Sequence, residues 1–215
     1  MIKGAIFDLD GTLLDSMFIW DSIAEDYLRS LGIEPRENLN KAFEGFTMTD
    51  AANYYRTHYG VTLTVDEIID GVGALIAHKY DTEAKLKPGA SEYLLFLRER
   101  GVGMCVATAT DRAIAQKTLE RLGALEFLEG IVTCAEVGRG KDKPDIYRAA
   151  LDILGTKNEE TLVFEDALFA LKTAKADGFP AVGVYDRFEK RQAELARLAD
   201  VYVRDFRDPK LKMII

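Results

Sequence analysis

The sequence predicts an α/β fold in which helices cover both faces of a parallel sheet and a helical segment is inserted after the first strand. Apolar runs of strand length lie at 2–7, 102–107, 131–134, 161–164, 181–185 and 201–203. Helical patterns lie between most of these runs, at 90–100, 111–122, 145–154 and 167–177. Strands that alternate with helices in this way are typical of a parallel sheet.

The inserted segment, from about residue 17 to residue 85, interrupts this alternation. It has no convincing buried strand, and its first stretch shows an apolar face at helical spacing, formed by Trp20, Ile23, Tyr27 and Leu31. Glycines predict breaks further along, at Gly60, Gly71 and Gly73. We therefore expect two domains. Residues 1–16 and 86–215 form the sheet domain, residues 17–85 form the helical domain, and hinges lie near 14–17 and 85–88.

Composition and charge narrow the classes of partner. The chain has 215 residues, of which 48% are hydrophobic and 30% charged, as in ordinary soluble globular proteins. Its formal net charge of −8 argues against a nucleic-acid polymer or an anionic membrane as a partner, because both attract basic surfaces. No uncharged apolar run approaches the ~18 residues of a membrane span. No signal peptide is apparent either.

Cysteine usage indicates a reducing compartment. Cys105 lies inside one apolar run and Cys134 follows another. We interpret both as small buried hydrophobic residues and not as a disulfide or a pair of metal ligands. Together with the preceding observations, this predicts a cytoplasmic protein.

The stretch most informative about function is FDLDGTLLDS, residues 7–16, which begins where the first strand ends. Asp8 and Asp10 are two positions apart, so their side chains point to the same side of the strand. Gly11 follows at once and allows a sharp turn. Two carboxylates on one face repel each other, so the pair indicates a site where a metal, a proton or a substrate offsets the repulsion.

This stretch resembles motif I of the haloacid dehalogenase superfamily of aspartyl phosphotransferases, an apolar strand followed by D-x-D-G-T/V. The resemblance implies that Asp8 attacks phosphorus to form an aspartyl phosphate. It implies that Asp10 protonates the leaving group and then deprotonates water, with Gly11 in contact with the substrate. It also implies a Rossmann-like core for the sheet domain and a C1-type α-helical cap for the insertion.

A second resemblance lies at the end of the next core strand, in ATAT at 107–110. Thr108 is similar to the Ser/Thr of the family's motif II, whose hydroxyl binds a phosphate oxygen. The following backbone N–H groups, beginning with Ala109, are expected to assist. The start of the next helix would add a favourable dipole.

The lysine of motif III has two candidates in GRGKDKPDIY, residues 138–147. Aligning Pro144-Asp145 and Gly140-Lys141 with the family pattern selects Lys141. Lys143 is the alternative, because Asp142 stands where proline is usual, and Arg139 is near enough to assist. An ammonium group is needed here to offset the clustered carboxylates.

Motif IV is represented by the acidic pair Glu165-Asp166 after the run TLVF. In the family such a pair holds Mg²⁺, which prefers oxygen ligands. The resemblance implies ligation by Asp8, the main-chain carbonyl of Asp10 and Asp166, with Glu165 bound directly or through water. The chain departs from the pattern E-D-S-x-x-G at Ala167 and Ala170.

The resemblance favours a phosphatase among the family's activities. Asp10 favours phosphoryl transfer from an oxygen leaving group, since the family's dehalogenases lack this acid. The β-phosphoglucomutases of the family carry a cap His and a cap Arg, and Trp20 and Met48 stand in the matching places here.

The resulting expectation is a Mg²⁺-dependent phosphatase acting on a small phosphate monoester, a sugar phosphate or a nucleoside monophosphate, with Trp20 and Met48 in contact with the substrate. The alternatives are a β-phosphoglucomutase-like mutase and a phosphoacceptor or binding protein without turnover. The sequence leaves the oligomeric state open.

Overall fold

The structure is a computed structural model that describes residues 1–43 and 45–215. Its strands are β1 (Gly4–Phe7), β2 (Leu14–Asp15), β3 (Lys85–Leu86), β4 (Gly103–Thr108), β5 (Gly130–Thr133), β6 (Thr161–Glu165), β7 (Ala181–Val184) and β8 (Val201–Val203). Its α-helices are α1 (Met17–Ser30), α2 (Leu39–Ala42), α3 (Met48–Tyr59), α4 (Val65–Thr82), α5 (Ala90–Glu99), α6 (Arg112–Arg121), α7 (Cys134–Val137), α8 (Asp145–Leu154), α9 (Leu168–Ala176), α10 (Gln192–Leu198) and α11 (Lys210–Met213).

The described chain divides into two compact units. The first, which we call the sheet unit, comprises Met1–Asp15 and Ala84–Ile215. The second, which we call the helical unit, comprises Ser16–Glu83 and contains α1 to α4.

In the sheet unit, strands from the described residues form a six-stranded sheet with the order β5-β4-β1-β6-β7-β8. Every adjacent pair in it is parallel. The predicted α/β fold with a parallel sheet is therefore confirmed. Because β1 lies between β4 and β6, the three carboxyl ends that carry the predicted motifs are neighbours at one edge, where open α/β sheets bind ligands.

The two faces of the central strands are buried by different side chains. Ile6 of β1 and Val163 of β6 belong to an apolar cluster that includes Tyr147 of α8. On the other face, Phe7 and Phe164 are paired in the strand register and stack with ring centroids 4.5 Å apart. This packing sets the positions of β1 and β6 relative to each other along the strand direction. It thereby also sets the relative positions of the residues that follow each strand.

The segments predicted as hinges pair with each other. β2 and β3 form a two-stranded antiparallel ladder in which Leu14 faces Leu86 and Asp15 faces Lys85. The next residue, Lys87, donates its backbone N–H to the carbonyl of Leu13 over 2.9 Å. Sequence patterning did not predict this ladder, since strands of two residues are too short to show a period.

Capping residues mark the start of two helices in the helical unit. α3 and α4 each begin with a capping box, formed by Thr47 with Asp50 and by Thr64 with Glu67. The predicted break at Gly71 is wrong, because α4 continues through it. A Cβ at Gly71 would lie 2.9 Å from the ring of Tyr27, so this glycine permits close packing of α1 on α4.

Two smaller findings complete the description of the fold. α4 also continues through Gly73, where a break was predicted. No helix within residues 1–43 and 45–215 combines the length and the apolar composition that a membrane span requires.

Candidate active site

The loop after β1 presents the two aspartates of motif I. Asp8 is buried and donates its backbone N–H to the carbonyl of Phe164 over 2.9 Å, which ties it to the end of β6. Gly11 has a φ of 84°, a conformation that favours glycine, and its N–H donates to Leu14 over 2.9 Å. The chain thus turns back immediately after Asp10.

The end of β6 supplies two further carboxylates. Glu165 is 1% exposed and Asp166 is 6% exposed. One oxygen from each of these residues and one from Asp8 lie within 4.8 Å of one another. We call Asp8, Glu165 and Asp166 the acidic cluster.

Lys141 is the ammonium that contacts this cluster. Its Nζ donates to Asp8 Oδ1 and to Glu165 Oε1, the latter over 2.7 Å. Burial lowers the pKa of Lys141, but the charges of Asp8 and Glu165 more than offset this and hold the pKa above its usual range. The competing candidate Lys143 is exposed. The geometry therefore favours Lys141 as the lysine of motif III.

Arg139 does not join the cluster. Its Nε lies 3.6 Å from Asp145 Oδ1 on the surface of the sheet unit. The assisting role expected for Arg139 has no support from these contacts.

Hydroxyl groups hold the two carboxylates of motif IV. Tyr147 Oη donates to Glu165 Oε1 over 2.8 Å, and Thr12 Oγ1 donates to Asp166 Oδ1 over 2.9 Å. Burial, only partly offset by Lys141, raises the pKa of Glu165 to about 7, and the charge of Asp8 adds to the rise. Burial and repulsion from Asp8 and Glu165 raise the pKa of Asp166 well above its usual value.

The donor set of the acidic cluster fits a divalent cation. Among the described residues, these three buried carboxylates face one ammonium, so the full ionisation of the cluster leaves an excess of negative charge in a buried site. All of the offered ligand atoms are carboxylate oxygens, which suit Mg²⁺ or another hard cation.

Asp10 lies beside the second core strand. Thr110 Oγ1 donates to Asp10 Oδ2 over 2.6 Å, so the end of β4 holds one oxygen of this acid. Thr108 is fully buried, and its Oγ1 accepts the backbone N–H of Thr110 over 3.0 Å. Ala109 between them is exposed.

The remaining predicted substrate contacts belong to the helical unit. Trp20 lies on α1, is 39% exposed and donates its Nε1–H to the hydroxyl of Tyr80 over 2.8 Å. Met48 is the first residue of α3 and is 48% exposed. Contact of either side chain with a substrate stays a prediction.

Sequence reasoning missed the polar partners of the acids. Thr110 lies two positions after Thr108, and the two-residue period of a strand end is the signal that would have placed it on the same side. Tyr147 lies in a helix whose other buried residues are apolar, Ile146, Ala150 and Leu151. A tyrosine on such a face needs a partner for its hydroxyl, which is the signal for a nearby acceptor.

Comparisons with known proteins agree with this geometry. A sequence profile of haloacid dehalogenase-like hydrolases matches residues 5–184. Validoxylamine A 7'-phosphate phosphatase of Streptomyces hygroscopicus subsp. limoneus is 32% identical over 206 residues, which are 95% of this chain and 94% of that protein. The phosphorylated carbohydrates phosphatase of Thermotoga maritima is 26% identical and covers 84% of each chain.

The fold itself has solved counterparts. A crystal structure from Thermotoga maritima, provisionally assigned as a β-phosphoglucomutase, superposes with a TM-score of 0.86 at 23% identity and covers 100% of both chains. At this identity the likeness shows the fold alone. The profile match and the phosphatase relatives carry the conclusion that this chain belongs to the haloacid dehalogenase-like hydrolases and, among them, to the phosphoric monoester hydrolases.

Proposed function

We propose that this chain is a Mg²⁺-dependent phosphatase that hydrolyses a small phosphate monoester through an aspartyl phosphate on Asp8. The observation that carries the proposal is the buried acidic cluster with Lys141 bound to it. The cluster lies at the carboxyl ends of the central strands, where this family is expected to have its active site. Three carboxylates held together in a buried site cost free energy unless cations offset their charge, so the cluster is better explained by chemistry than by stability.

Asp8 is the proposed nucleophile. Lys141 keeps its carboxylate next to a positive charge, and the backbone bond from Asp8 to Phe164 fixes its position at the end of β1. An Asp8 oxygen attacks phosphorus while the bond between phosphorus and the ester oxygen breaks. Phosphoryl transfer of this kind depends mainly on positioning and on charge stabilisation, which Lys141 and Thr108 supply.

Asp10 is the proposed acid and base. It gives its proton to the departing alcohol oxygen and then takes a proton from the water that attacks the aspartyl phosphate. That second step releases inorganic phosphate and restores the Asp8 carboxylate. The hydrogen bond from Thr110 holds one Asp10 oxygen beside the end of β4.

The groups that would hold the metal are the side chains of Asp8, Glu165 and Asp166 and the main-chain carbonyl of Asp10. Mg²⁺ bound there supplies positive charge that offsets the repulsion between the Asp8 carboxylate and an anionic phosphate. The hydrogen bond from Thr12 orients Asp166 for this purpose.

The proposed substrate is a sugar phosphate or a nucleoside monophosphate. The names of the two phosphatase relatives, one acting on validoxylamine A 7'-phosphate and the other on phosphorylated carbohydrates, favour the sugar phosphates. In this proposal the helical unit is the cap, and Gly11, Ala109, Trp20 and Met48 contact the substrate. A cytoplasmic location completes the proposal, supported by the free thiols of Cys105 and Cys134.

The test is phosphate release from a panel of sugar phosphates, nucleoside monophosphates and phosphoglycolate, with Mg²⁺ and with a chelator. We expect release that depends on Mg²⁺ and falls by at least about a thousandfold in Asp8→Asn, since the nucleophile is lost. Asp152→Asn, an exposed acid on α8, is the matched control and should retain activity.

Two outcomes would contradict the proposal. Phosphate release that persists with chelator would exclude a requirement for the metal. Phosphate release that persists in Asp8→Asn would exclude Asp8 as the nucleophile. Isomerisation of a sugar phosphate without net phosphate release, followed by ³¹P NMR, would instead establish a mutase.

A further inference from the structure

Tyr147 is a buried polar residue that the proposed reaction steps do not use. It lies in the first turn of α8, is fully buried and packs in the apolar cluster with Ile6 and Val163. A phenylalanine would fill the same space, so packing alone does not explain the hydroxyl. That hydroxyl donates to Glu165 Oε1 over 2.8 Å and lies 3.4 Å from the carbonyl of Ala170.

Both hydrogen bonds to Glu165 fall on the same oxygen. Oε1 accepts Lys141 Nζ over 2.7 Å and Tyr147 Oη over 2.8 Å. A carboxylate oxygen has two lone pairs, so two donors use the accepting capacity of Oε1. Within residues 1–43 and 45–215, the protein donates no hydrogen bond to Oε2 of Glu165. The carboxylate is thus held by one oxygen, and the other is left for a ligand.

The two donors are not equivalent. Lys141 is shared, because its ammonium also bonds Asp8 and is expected to contact the phosphate of the substrate. In the described part of the chain Tyr147 donates to no other carboxylate, so its hydrogen bond to Glu165 does not depend on which partner Lys141 takes. The hydroxyl therefore provides the constant part of the restraint on Glu165.

Asp166 shows the same arrangement. Its Oδ1 accepts the hydroxyl of Thr12 over 2.9 Å, so here too a neutral hydroxyl occupies one carboxylate oxygen. Two carboxylates that are each fixed through one oxygen form a pair of oriented ligands. Carboxylates that bind metals in proteins are held in this way by surrounding hydrogen bonds.

We infer that Tyr147 is a positioning residue for the divalent cation, whose hydroxyl fixes Glu165 with Oε2 as the oxygen offered to the metal. The inference rests on the proposed metal dependence and adds a residue of α8 to the machinery. It assigns to Tyr147 an effect on metal affinity that acts through Glu165, without contact with the metal or the substrate.

The test is the affinity of the intact protein for Mg²⁺ in the absence of substrate, measured by calorimetry, and for Mn²⁺, measured by electron paramagnetic resonance. We expect Tyr147→Phe to raise the dissociation constant of both ions by about 10- to 100-fold, the usual effect of losing a hydrogen bond to a metal ligand. At saturating Mg²⁺ the phosphatase activity of the variant should recover to within a few-fold of wild type.

The matched control is Tyr93→Phe. Tyr93 is also a buried tyrosine of the sheet unit, and its hydroxyl lies 3.4 Å from the carbonyl of Leu211, far in sequence from the acidic cluster. Removing this hydroxyl should leave metal affinity unchanged. Thermal unfolding of both variants without metal separates a general loss of stability from the specific loss of metal affinity.

The outcomes distinguish the inference from the proposed function. Equal metal affinity in wild type and Tyr147→Phe would overturn the role of Tyr147 and leave the metal site intact. A wild-type protein that binds neither Mg²⁺ nor Mn²⁺ would overturn the metal dependence itself. Activity of Tyr147→Phe that stays low with the site saturated would also contradict a role limited to positioning the metal ligand.

Discussion

The sheet unit and the helical unit differ in where their charged side chains lie. The buried charged residues of the described chain all belong to the sheet unit: Asp8, Lys87, Lys141, Glu165, Asp166 and Asp186. In the helical unit, ion pairs such as Asp26 with Lys79 remain partly exposed. Burying an unpaired charge costs on the order of several kcal/mol, so a group of buried acids with too few cations points to a functional site.

Within the described residues both units expose large apolar side chains, and the shorter helical unit exposes more of them for its length. Trp20, Phe46 and Met48 are each 39% to 48% exposed. Side chains of this kind recognise shape and apolar surface and supply no acid, base or nucleophile. We propose a division of labour in which the sheet unit performs the chemistry and the helical unit selects the substrate.

Among the substitutions that distinguish the roles of the two units, Asp10→Asn is expected to have the largest effect. We predict that Asp10→Asn lowers phosphate release by about 10²- to 10⁴-fold for every substrate, since it removes the general acid and base. Mg²⁺ affinity should change little, because Asp10 is expected to bind the metal through its main-chain carbonyl.

The control for Asp10 is Asp15→Asn, an exposed acid of the same unit, which should retain activity. The measurement is turnover on three chemically different members of the panel, together with calorimetric Mg²⁺ titration. Undiminished turnover in Asp10→Asn would remove the proposed acid and base from this residue.

An intermediate effect is expected at Lys141. Lys141→Ala leaves Asp8 and Glu165 buried without their ammonium, and breaking a buried pair in this way destabilises a protein by about 3–5 kcal/mol. We expect a lower midpoint in urea unfolding without metal, partial recovery with Mg²⁺, and a large loss of turnover. Lys143→Ala, at an exposed position two residues on, should match wild type in all three measurements.

The reverse pattern would show that the alignment of motif III with this chain is wrong. An inert Lys141→Ala and a damaging Lys143→Ala would move the catalytic ammonium to Lys143. The contacts of Lys141 with Asp8 and Glu165 would then be structural.

The parts of the site that could be predicted from the sequence depend on strand ends. Asp8, Glu165 and Asp166 follow apolar runs, and a parallel sheet necessarily brings the ends of neighbouring runs to one edge. The contact of Lys141 needed more than spacing, because residues 138–144 form no strand or helix and their path is set by tertiary packing. The family resemblance, and not periodicity, selected this lysine.

The partners of these residues were less predictable for two physical reasons. The hydroxyl of Tyr147 bonds Glu165 only once the tertiary fold brings the two together, and the sequence around Tyr147 does not indicate which residue is the acceptor. Gly71 looked like a helix break because glycine disfavours helices by about 1 kcal/mol, yet close packing against Tyr27 outweighs that preference. In both cases long-range packing decides the outcome.

The helical unit shows the same limit for its buried face. The predicted stripe on α1 is partly wrong, since Trp20 and Leu31 are exposed by 39% and 37%. The buried residues of α1 are Ile19, Ala24, Tyr27 and Leu28. A period of 3.6 residues identifies a helix and its apolar face, but the exposure of each side chain on that face depends on what packs over it. Trp20 lies in the first turn of α1 and Leu31 follows its last residue, so both are near the ends of the face.

The smallest predicted effect tests the helical unit directly. Met48→Ala removes a half-exposed side chain, so we expect little change in stability and a change of a few-fold (about 2- to 10-fold) in KM among panel members, the scale of losing part of an apolar contact. Turnover of p-nitrophenyl phosphate at saturation should stay near wild type, because the acidic cluster and Lys141 are untouched.

Met213→Ala is the control for Met48, since Met213 is 82% exposed and belongs to the sheet unit. If Met48→Ala shifts the ranking of substrates and Met213→Ala does not, the helical unit contributes to selection as the comparison requires. If Met48→Ala lowers the saturated rate equally for all substrates, the division of labour fails, because a residue outside the sheet unit would then contribute to the chemical step itself.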